Sequence, residues 1–229
     1  MAKLSTPEPE LNEVTLKNAG IAGSFLAVLD LNDTMVFPFL ADFFAKRDLT
    51  VRAVGACFGA LSIGMLLCAL AMPKLMPRLG GPARTLTAGV VLFTGVRFVT
   101  ASLPLVGTGE QLLIVASAVY FLTGCIYAFA EVGALTWVLY TASPGQKVPA
   151  MAALTSARTL GAMLGTPVGG VLFDLIGWEL TNFVGGLLLV APLIVFGKDV
   201  VQPIKSMTQE VGTRVAGLEP STFELRLTG

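Results

Sequence analysis

Five ionisable side chains interrupt stretches of sequence that are otherwise apolar: Asp30, Asp33, Arg97, Glu131 and Arg158. A charge in the middle of a lipid bilayer costs about 3 kcal/mol, so such residues by default indicate a binding or coupling role. Asp30 and Asp33 are three residues apart and share one face of a helix. Two neighbouring carboxylates in a low dielectric favour a bound proton on at least one of them, as a proton-carrying or cation-binding acid requires. Asp30, Asp33 and Glu131 are therefore the candidate acids for binding substrate or protons.

The two arginines are candidate partners in buried ion pairs. Glu131 and Arg158 lie about 16 and 14 Å from the nearer ends of their predicted helices, so they can meet on adjacent antiparallel helices. Arg97 lies about 18 Å from Arg84 and competes as a partner for Glu131 or Asp30. An ion pair that only fixes two helices together and a substrate site are both consistent with this spacing. If the first helix begins later, Asp30 lies near the lipid headgroups instead.

These charges must be positioned by helices that cross a membrane. Of the 229 residues, 54% are hydrophobic and 13% are charged, and the mean hydropathy is +0.78, which is too apolar for a soluble protein. A hydrocarbon core about 30 Å thick needs about 20 apolar residues for each crossing. The apolar runs lack the two-residue alternation of barrel strands, so we predict an all-α integral membrane bundle of six helices. The predicted spans are residues 19–44, 53–73, 84–104, 111–141, 149–174 and 180–198.

The fifth predicted span carries a ladder of small residues. Small side chains four residues apart let helix backbones approach closely in lipid, and a proline with paired glycines permits a bend. We expect this surface to face a second helix bundle. The residues of the ladder are Gly161, Gly165, Pro167, Gly169 and Gly170.

A shorter pattern of the same kind, Gly55 and Gly59, lies in the second span and also indicates close packing. The intramembrane acids thus lie in the first and fourth spans, and the glycine patterns lie in the second and fifth. This placement is typical of two three-helix units repeated with inverted topology.

The distribution of Lys and Arg predicts that both termini are cytoplasmic. We divide the chain into an N-terminal segment (1–18), the six-helix bundle (19–198) and a cytoplasmic tail (199–229). Residues 1–17 lack the basic, apolar, then small-residue order of a cleaved signal peptide, so the first span is expected to remain in the mature protein. The basic residues on the cytoplasmic side are Lys3, Lys17, Lys74, Arg78, Arg84, Lys147, Lys198, Lys205, Arg214 and Arg226, against Lys46, Arg47 and Arg52 on the other side.

Composition also argues against several other functions. A net charge of zero without a basic stripe argues against nucleic-acid binding. The sequence has no histidine, and its three cysteines, Cys57, Cys68 and Cys125, lie in apolar runs where they are expected to pack as small hydrophobic residues. A zinc site or a histidine-based triad is therefore not supported, and we do not expect an enzyme.

Two stretches are similar to motifs of a known family. The ladder from Gly161 to Gly170, continued by the run Val171 to Gly177, matches an antiporter motif, and residues 37–61 are similar to the region from the end of span 1 to the start of span 2. On these motifs the chain resembles, over residues 25–195, the amino-terminal six-helix half of a major facilitator superfamily transporter. More narrowly, it resembles the vesicular amine and polyamine transporters. By this resemblance Arg78 and Gly80 belong to a gating loop, in which Pro77 replaces the aspartate of the family.

The resemblance implies antiport of an organic cation, such as an amine or a polyamine, against protons, by alternating access of two bundles. The proton is then the coupling ion and no other cofactor is expected. The implied partners are the lipid bilayer, the organic cation, and a second six-helix half or a second copy of the chain, in a vesicle or another endomembrane. The alternatives are a drug:proton antiporter of the same superfamily and a non-transporting protein that associates with a full-length relative through its fifth span.

Overall fold

The computed structural model describes residues 13–201. The N-terminal residues 1–12 and most of the predicted tail, including Lys3, Lys205, Arg214 and Arg226, lie outside these residues. The described chain is helical and contains no strand. Its α-helices are α1 (Glu13–Val36), α2 (Leu40–Ala45), α3 (Val51–Arg78), α4 (Pro82–Ala101), α5 (Gly109–Thr141) and α6 (Lys147–Val201).

The first two helices form one apolar element. A single turn of 3-10 helix, Phe37–Phe39, joins α1 to α2, and Pro38 lies at its start. Proline lacks an N–H to continue the α-helical hydrogen bonds, and its fixed φ suits the first turn of a new helix. The element therefore changes its helical geometry at Pro38 without reversing the direction of the chain.

Four segments of the described chain are long and apolar enough to cross a membrane: Val14–Ala45, Val51–Arg78, Gly109–Thr141 and Pro144–Lys198. The protein is therefore an all-α integral membrane protein, as predicted. Helix α4 coincides with the predicted third span but carries Arg84 and Arg97 within its length and is not one of the four. The last segment contains both the fifth and the sixth predicted spans. The number of six crossings therefore stays a prediction.

Helix α6 consists of two helical segments that meet at Gly177. With 55 residues, it would be about 80 Å long if it were straight, far more than a bilayer core requires. Gly177 has a φ of 76° and a ψ of −176°, which interrupts the helix at a conformation that side chains other than glycine rarely adopt. We refer to residues 147–176 as α6a and to residues 178–201 as α6b. The predicted bend around Pro167 is not where the helix breaks, because residues 167–170 remain helical.

Contacts with the first helical element show that the chain reverses direction at Gly177. Along α6a, the positions of Gly161 and Gly169 lie against Ala27 and Met35, so the two helices run parallel. Along α6b the order is opposite. Trp178 stacks on Phe43, with ring centroids 4.0 Å apart, and Gly185 lies beside Asn32, which is earlier in the chain. Helix α6b therefore returns antiparallel to α1.

Helices α3 and α5 form a second closely packed pair, and they run parallel, because Cys57 lies beside Ser117 and Gly64, one to two turns later, lies beside Cys125. The backbones are close here: a β-carbon at Gly64 would meet the backbone of Phe121, and one at Gly124 would meet the backbone of Leu61. The predicted close packing at Gly55 and Gly59 is wrong for the described residues. Both glycines are exposed, and no atom lies within 4 Å of a β-carbon built there, because they lie on the opposite side of α3 from α5.

Candidate functional site

Four polar side chains from three helices meet inside the bundle. Asp30 comes from α1, Tyr127 and Glu131 come from one face of α5, and Arg158 comes from α6a. Two further charged residues, Asp33 on α1 and Arg97 on α4, form a separate pair. The five charged residues that the sequence singles out are thus all in ion pairs, and the pairs divide them into two groups.

Arg158 is the centre of the first group because its guanidinium uses three different nitrogen atoms. Its Nε donates to Asp30 Oδ2 at 2.8 Å, and its Nη1 donates to Glu131 Oε1 at 2.5 Å. Its Nη2 donates to the hydroxyl oxygen of Tyr127 at 2.9 Å, and that hydroxyl donates to Asp30 Oδ1. A guanidinium presents its donors in a fixed planar fork, so one side chain holds three partners in a defined arrangement.

The ion pair of Arg158 with Glu131 agrees with the similar depths that the sequence predicts for these two residues. Asp30 joins as a second carboxylate on the same guanidinium, so the first group has two acids and one base. The side chain of Arg158 is 28% exposed, against 21% for Glu131 and 12% for Asp30. The guanidinium is therefore partly accessible, and Asp30 is the more covered of its two carboxylate partners.

Arg97 pairs with neither of the acids that the sequence offers it, Glu131 and Asp30. Its Nη2 donates to Asp33 Oδ1, and the guanidinium carbon lies 4.8 Å from the ring centroid of Phe93. Asp33 follows Asp30 by three residues, so its side chain is rotated by about 60° and displaced by about 4.5 Å along the helix. That rotation is enough to turn Asp33 towards α4 while Asp30 faces α5 and α6a.

The Asp33–Arg97 pair is more deeply buried than the first group. Arg97 is 1% exposed, and its Nε is buried without a hydrogen-bond partner among the described residues, as is the hydroxyl of Tyr120. Unpaired buried polar atoms are costly, and so is a buried charge, which must be paired. This pair therefore fixes α1 against α4, and the first group is the more accessible of the two.

An open recess of about 420 Å³ lies next to the first group. It is formed by α1 and α6a, and its walls combine charged, hydroxyl and apolar side chains. Ligand sites of transporters and enzymes typically pair a few polar groups with apolar walls in this way. The lining residues are Asp30, Thr155, Arg158, Thr159, Ala162 and Met163.

Tyr127 is the residue that sequence reasoning missed. Its hydroxyl accepts from Arg158 and donates to Asp30, so it closes a ring of hydrogen bonds among the three side chains. The available signal was its position four residues before Glu131, which places both on one face of α5. A tyrosine in an apolar helix otherwise reads as a packing residue.

The glycine ladder positions Arg158 against Asp30. A β-carbon on Gly161 would meet the carbonyl oxygen of Ala27, and one on Gly169 would meet that of Met35. Gly165 lies equally close to the backbone of Leu31. Four-residue steps on both helices keep these contacts in register and bring α6a against α1 over the length of the recess.

This contact corrects the prediction that the ladder faces a second bundle. Three of its glycines are buried against α1 of the same chain. A β-carbon built on the fourth, Gly170, would lie 3.5 Å from the ring of Phe39. Pro167 points away and is exposed. A pattern of small residues predicts that another backbone comes close, but it does not say which one.

The proposed gating loop is the turn between α3 and α4. Arg78 ends α3 and is exposed, and Gly80 and Gly81 follow with φ values of 87° and 103°. A β-carbon on Gly80 would come within 2.7 Å of Arg84 Nη1. The turn therefore needs glycine for its backbone conformation, since the flexible side chain of Arg84 can move away from an added β-carbon.

Within residues 13–201, no group of three or more His, Cys, Asp or Glu side chains is placed to hold a metal ion. The first group brings together two carboxylates, a phenol and a guanidinium.

Comparison with known proteins gives a family and one informative relative. The profile of the Major Facilitator Superfamily matches residues 23–216. The human protein "MFS-type transporter SLC18B1" is 27% identical to this chain over 173 residues, which is 73% of this chain and 38% of the human protein. The chain thus spans well under half the length of that relative. No solved structure matches the chain significantly.

Proposed function

Because the chain belongs to the major facilitator superfamily, we propose that it takes part in transporting an organic cation, such as an amine or a polyamine, across a membrane in exchange for protons. The family points to a transporter rather than an enzyme. The observation that best supports the finer proposal is the sharing of one guanidinium, that of Arg158, by Asp30 and Glu131 beside an open recess.

The charge balance of the site favours a cation as its ligand. Asp30, Asp33 and Glu131 supply three carboxylates, whereas Arg97 and Arg158 supply two guanidinium groups. With all five groups ionised, the site carries one excess negative charge. In a low dielectric this charge must be neutralised, either by a proton on a carboxylate or by a cation.

These two ways of neutralising the charge exclude each other, which is the requirement for exchange. A protonated Asp30 or Glu131 no longer attracts an ammonium group, and a bound ammonium group disfavours the proton. Arg158 is partly exposed to the recess and holds both acids, so an entering cation competes with its guanidinium for them. The recess supplies apolar contact for the carbon chain of an amine through Ala162 and Met163.

We further propose that the described helices cross the membrane six times, as two inverted three-helix repeats. The first repeat is α1, α3 and α4, and the second is α5, α6a and α6b. The parallel contact of α1 with α6a then corresponds to the parallel contact of α5 with α3, and the close approach of Gly185 to Asn32 corresponds to that of Gly89 to Ala130. An arrangement of helix pairs that is preserved when the two units are exchanged supports such a repeat.

In this proposal both termini lie in the cytoplasm and the membrane is that of a vesicle or another endomembrane. The recess is open on one side, so alternating access requires a second wall. A second six-helix half or a second copy of the chain would provide it. The glycine ladder gives little support to the alternative of a regulatory protein that associates through this surface, because Gly161, Gly165 and Gly169 are already covered by α1.

Uptake into proteoliposomes tests the proposal. The chain is reconstituted alone, and also together with any co-expressed second half, and a radiolabelled primary amine or polyamine is offered with an imposed pH gradient. We expect uptake that depends on the gradient and collapses with a protonophore. Absence of gradient-dependent uptake in both preparations would contradict the proposal.

Two matched variants make the result specific to the site. Asp30→Asn removes a carboxylate from the shared guanidinium. We expect it to reduce uptake at least tenfold, which corresponds to a free-energy change of about 1.4 kcal/mol. Asp42→Asn removes an exposed carboxylate that pairs with Lys46 at the end of α2, and uptake should be unchanged. Equal loss in both variants would show that the recess is not the transport site.

A further inference from the structure

Four sulfur-containing side chains lie together between α3 and α5, in a small cluster separate from the main core. Cys68, Met72 and Met76 come from α3, and Cys125 comes from α5. Cys68 and Met72 are 7% and 1% exposed, and the other two are partly buried. The rest of the cluster is apolar and consists of Ala128, Phe129 and Val132.

The geometry of the two helices brings these sulfur atoms to one side. Cys68, Met72 and Met76 follow one another at four-residue intervals, so they lie on one face of α3 at steps of about 6 Å. Cys125 Sγ donates a hydrogen bond to the carbonyl oxygen of Gly64 at 3.4 Å. In an α-helix that carbonyl also accepts the N–H of residue 68, so the two cysteines lie at the same level.

The close approach of the helices at this point is built into the sequence. Gly64 faces the backbone of Phe121 and the backbone nitrogen of Cys125, and Gly124 faces the backbone of Leu61. Larger residues at these glycines would separate α3 from α5 and move the two thiols apart. The glycines therefore hold side chains from both helices within one site.

Thiol and thioether ligands together identify the class of ion. Hard cations such as Mg²⁺ and Ca²⁺ take oxygen ligands, which this cluster does not offer from its side chains. Soft ligands such as thiolate and thioether select Cu(I). We propose that this cluster binds one Cu(I) ion through three ligands, Cys68, Cys125 and Met72. Met76 lies one turn further towards the end of α3 and is not one of the three ligands.

The charge of such a complex suits its apolar surroundings. When Cu(I) displaces the proton of one thiol, a Cu–S bond forms, the proton leaves to solvent, and the thiolate and the ion together carry no net charge. The second thiol and the thioether of Met72 complete the coordination as neutral donors. No oxidation or reduction is involved, and the site shares no residue with the group around Arg158.

The test uses the chain of 229 residues, purified in detergent under reducing conditions. Cu(I), kept reduced with ascorbate, or the redox-inert ion Ag(I) is added, and metal bound per chain is measured by mass spectrometry after gel filtration. We expect one ion per chain. Affinity is measured by competition with the Cu(I) chelator bicinchoninate, so the result does not depend on whether the protein transports anything.

Variants on the same two helices make the test decisive. Cys68→Ser and Cys125→Ser should each weaken binding by about 100-fold, and Met72→Leu, which keeps the volume of the side chain, should weaken it by about tenfold. Cys57→Ser is the matched control, because Cys57 lies nearer the start of α3, beside Ser117 at 3.9 Å, and outside the cluster. Its affinity for Cu(I) should equal that of the unchanged chain. Circular dichroism and gel filtration confirm that each variant is folded.

Three results would overturn the proposal. The first is a similar loss of bound metal from each of the three cysteine substitutions, which would indicate binding at single thiols. The second is unchanged affinity in Met72→Leu, which would remove the thioether from the site. The third is no bound metal together with a Cys68–Cys125 disulfide formed under a mild oxidant, which would make the pair a redox cross-link instead.

Discussion

Gly165 in α6a lies directly against the backbone of Leu31 in α1, with no room for a β-carbon between them. Gly161 and Gly169 repeat this contact one turn before and one turn after, against Ala27 and against Met35. Arg158 lies about one turn before Gly161 in α6a. The ladder thus sets the separation between the helices at which Arg158 reaches Asp30, at 2.8 Å. Packing and charge at this site therefore depend on each other.

Gly165→Ala should destabilise the protein strongly. The added methyl group would collide with the carbonyl of Leu31 and with the hydroxyl of Thr34, and both belong to a rigid helix that cannot yield cheaply. Overpacking of this kind costs about 1–3 kcal/mol. The measurement is the thermal unfolding midpoint in detergent, and Gly59→Ala is the control. Gly59 is exposed with open space around it, so its replacement should leave the midpoint equal or higher. Equal destabilisation by the two changes would be inconsistent with the ladder contact.

Arg158→Lys should lose most of the function that the site has, although the charge is kept. A lysine offers a single ammonium group on a flexible stem, so it cannot hold Asp30, Glu131 and Tyr127 in one plane as the guanidinium does. We expect amine uptake to fall at least tenfold, which corresponds to a free-energy change of about 1.4 kcal/mol. Arg52→Lys, at the exposed start of α3, should have no effect. Full activity of Arg158→Lys would argue that only net charge matters.

Asp33→Asn and Arg97→Gln should each destabilise the protein more than the two changes together. Removing one partner leaves the other as an uncompensated buried charge, which costs about 3–5 kcal/mol, whereas the double variant leaves two neutral amides. Unfolding in mixed micelles, analysed as a double-mutant cycle, measures the coupling. The same cycle with Glu131→Gln in place of Asp33→Asn should give additive effects. A coupling energy between Arg97 and Glu131 would contradict the Asp33–Arg97 pair and favour Glu131, one of the two partners that the sequence suggests for Arg97.

Tyr127→Phe should separate hydrogen bonding from packing. The phenylalanine ring keeps the edge-to-face contact with Phe93, at 6.2 Å between centroids, but loses the hydroxyl that bridges Asp30 and Arg158. A hydrogen bond to a charged group contributes about 1.5–3 kcal/mol, so we expect that loss in unfolding free energy. Tyr140→Phe is the matched control, since Tyr140 is 77% exposed near the end of α5. The idea fails if the two substitutions shift the unfolding transition by the same amount.

The sequence was sufficient to find the charged residues and the helices that carry them. Helical rise alone places Glu131 and Arg158 at similar depth, and the structure brings these two together at 2.5 Å. Depth depends only on position along the chain, which is why it can be computed without a fold. The all-helical membrane class follows in the same way from hydropathy and run length.

The partner of each charge could not be predicted, because it depends on how each helix is rotated about its axis. Asp30 and Asp33 differ by about 60° in direction, and this angle decides that one meets Arg158 and the other meets Arg97. The glycine ladder has the same limitation. Its spacing correctly predicts a close backbone contact, whereas the identity of that backbone, α1, is a property of the assembled bundle.

The register between α1 and α6a also limits how the bundle can change shape. Each of the glycines at 161, 165 and 169 faces the residue 134 positions earlier in the chain, so the two helices pack in one fixed register. Sliding by one residue would press side chains into backbone at every step, and the next equivalent fit is a whole turn of about 6 Å away. Any motion that changes access to the recess must therefore carry α1 and α6a together as one rigid body, while other parts of the protein move relative to this pair.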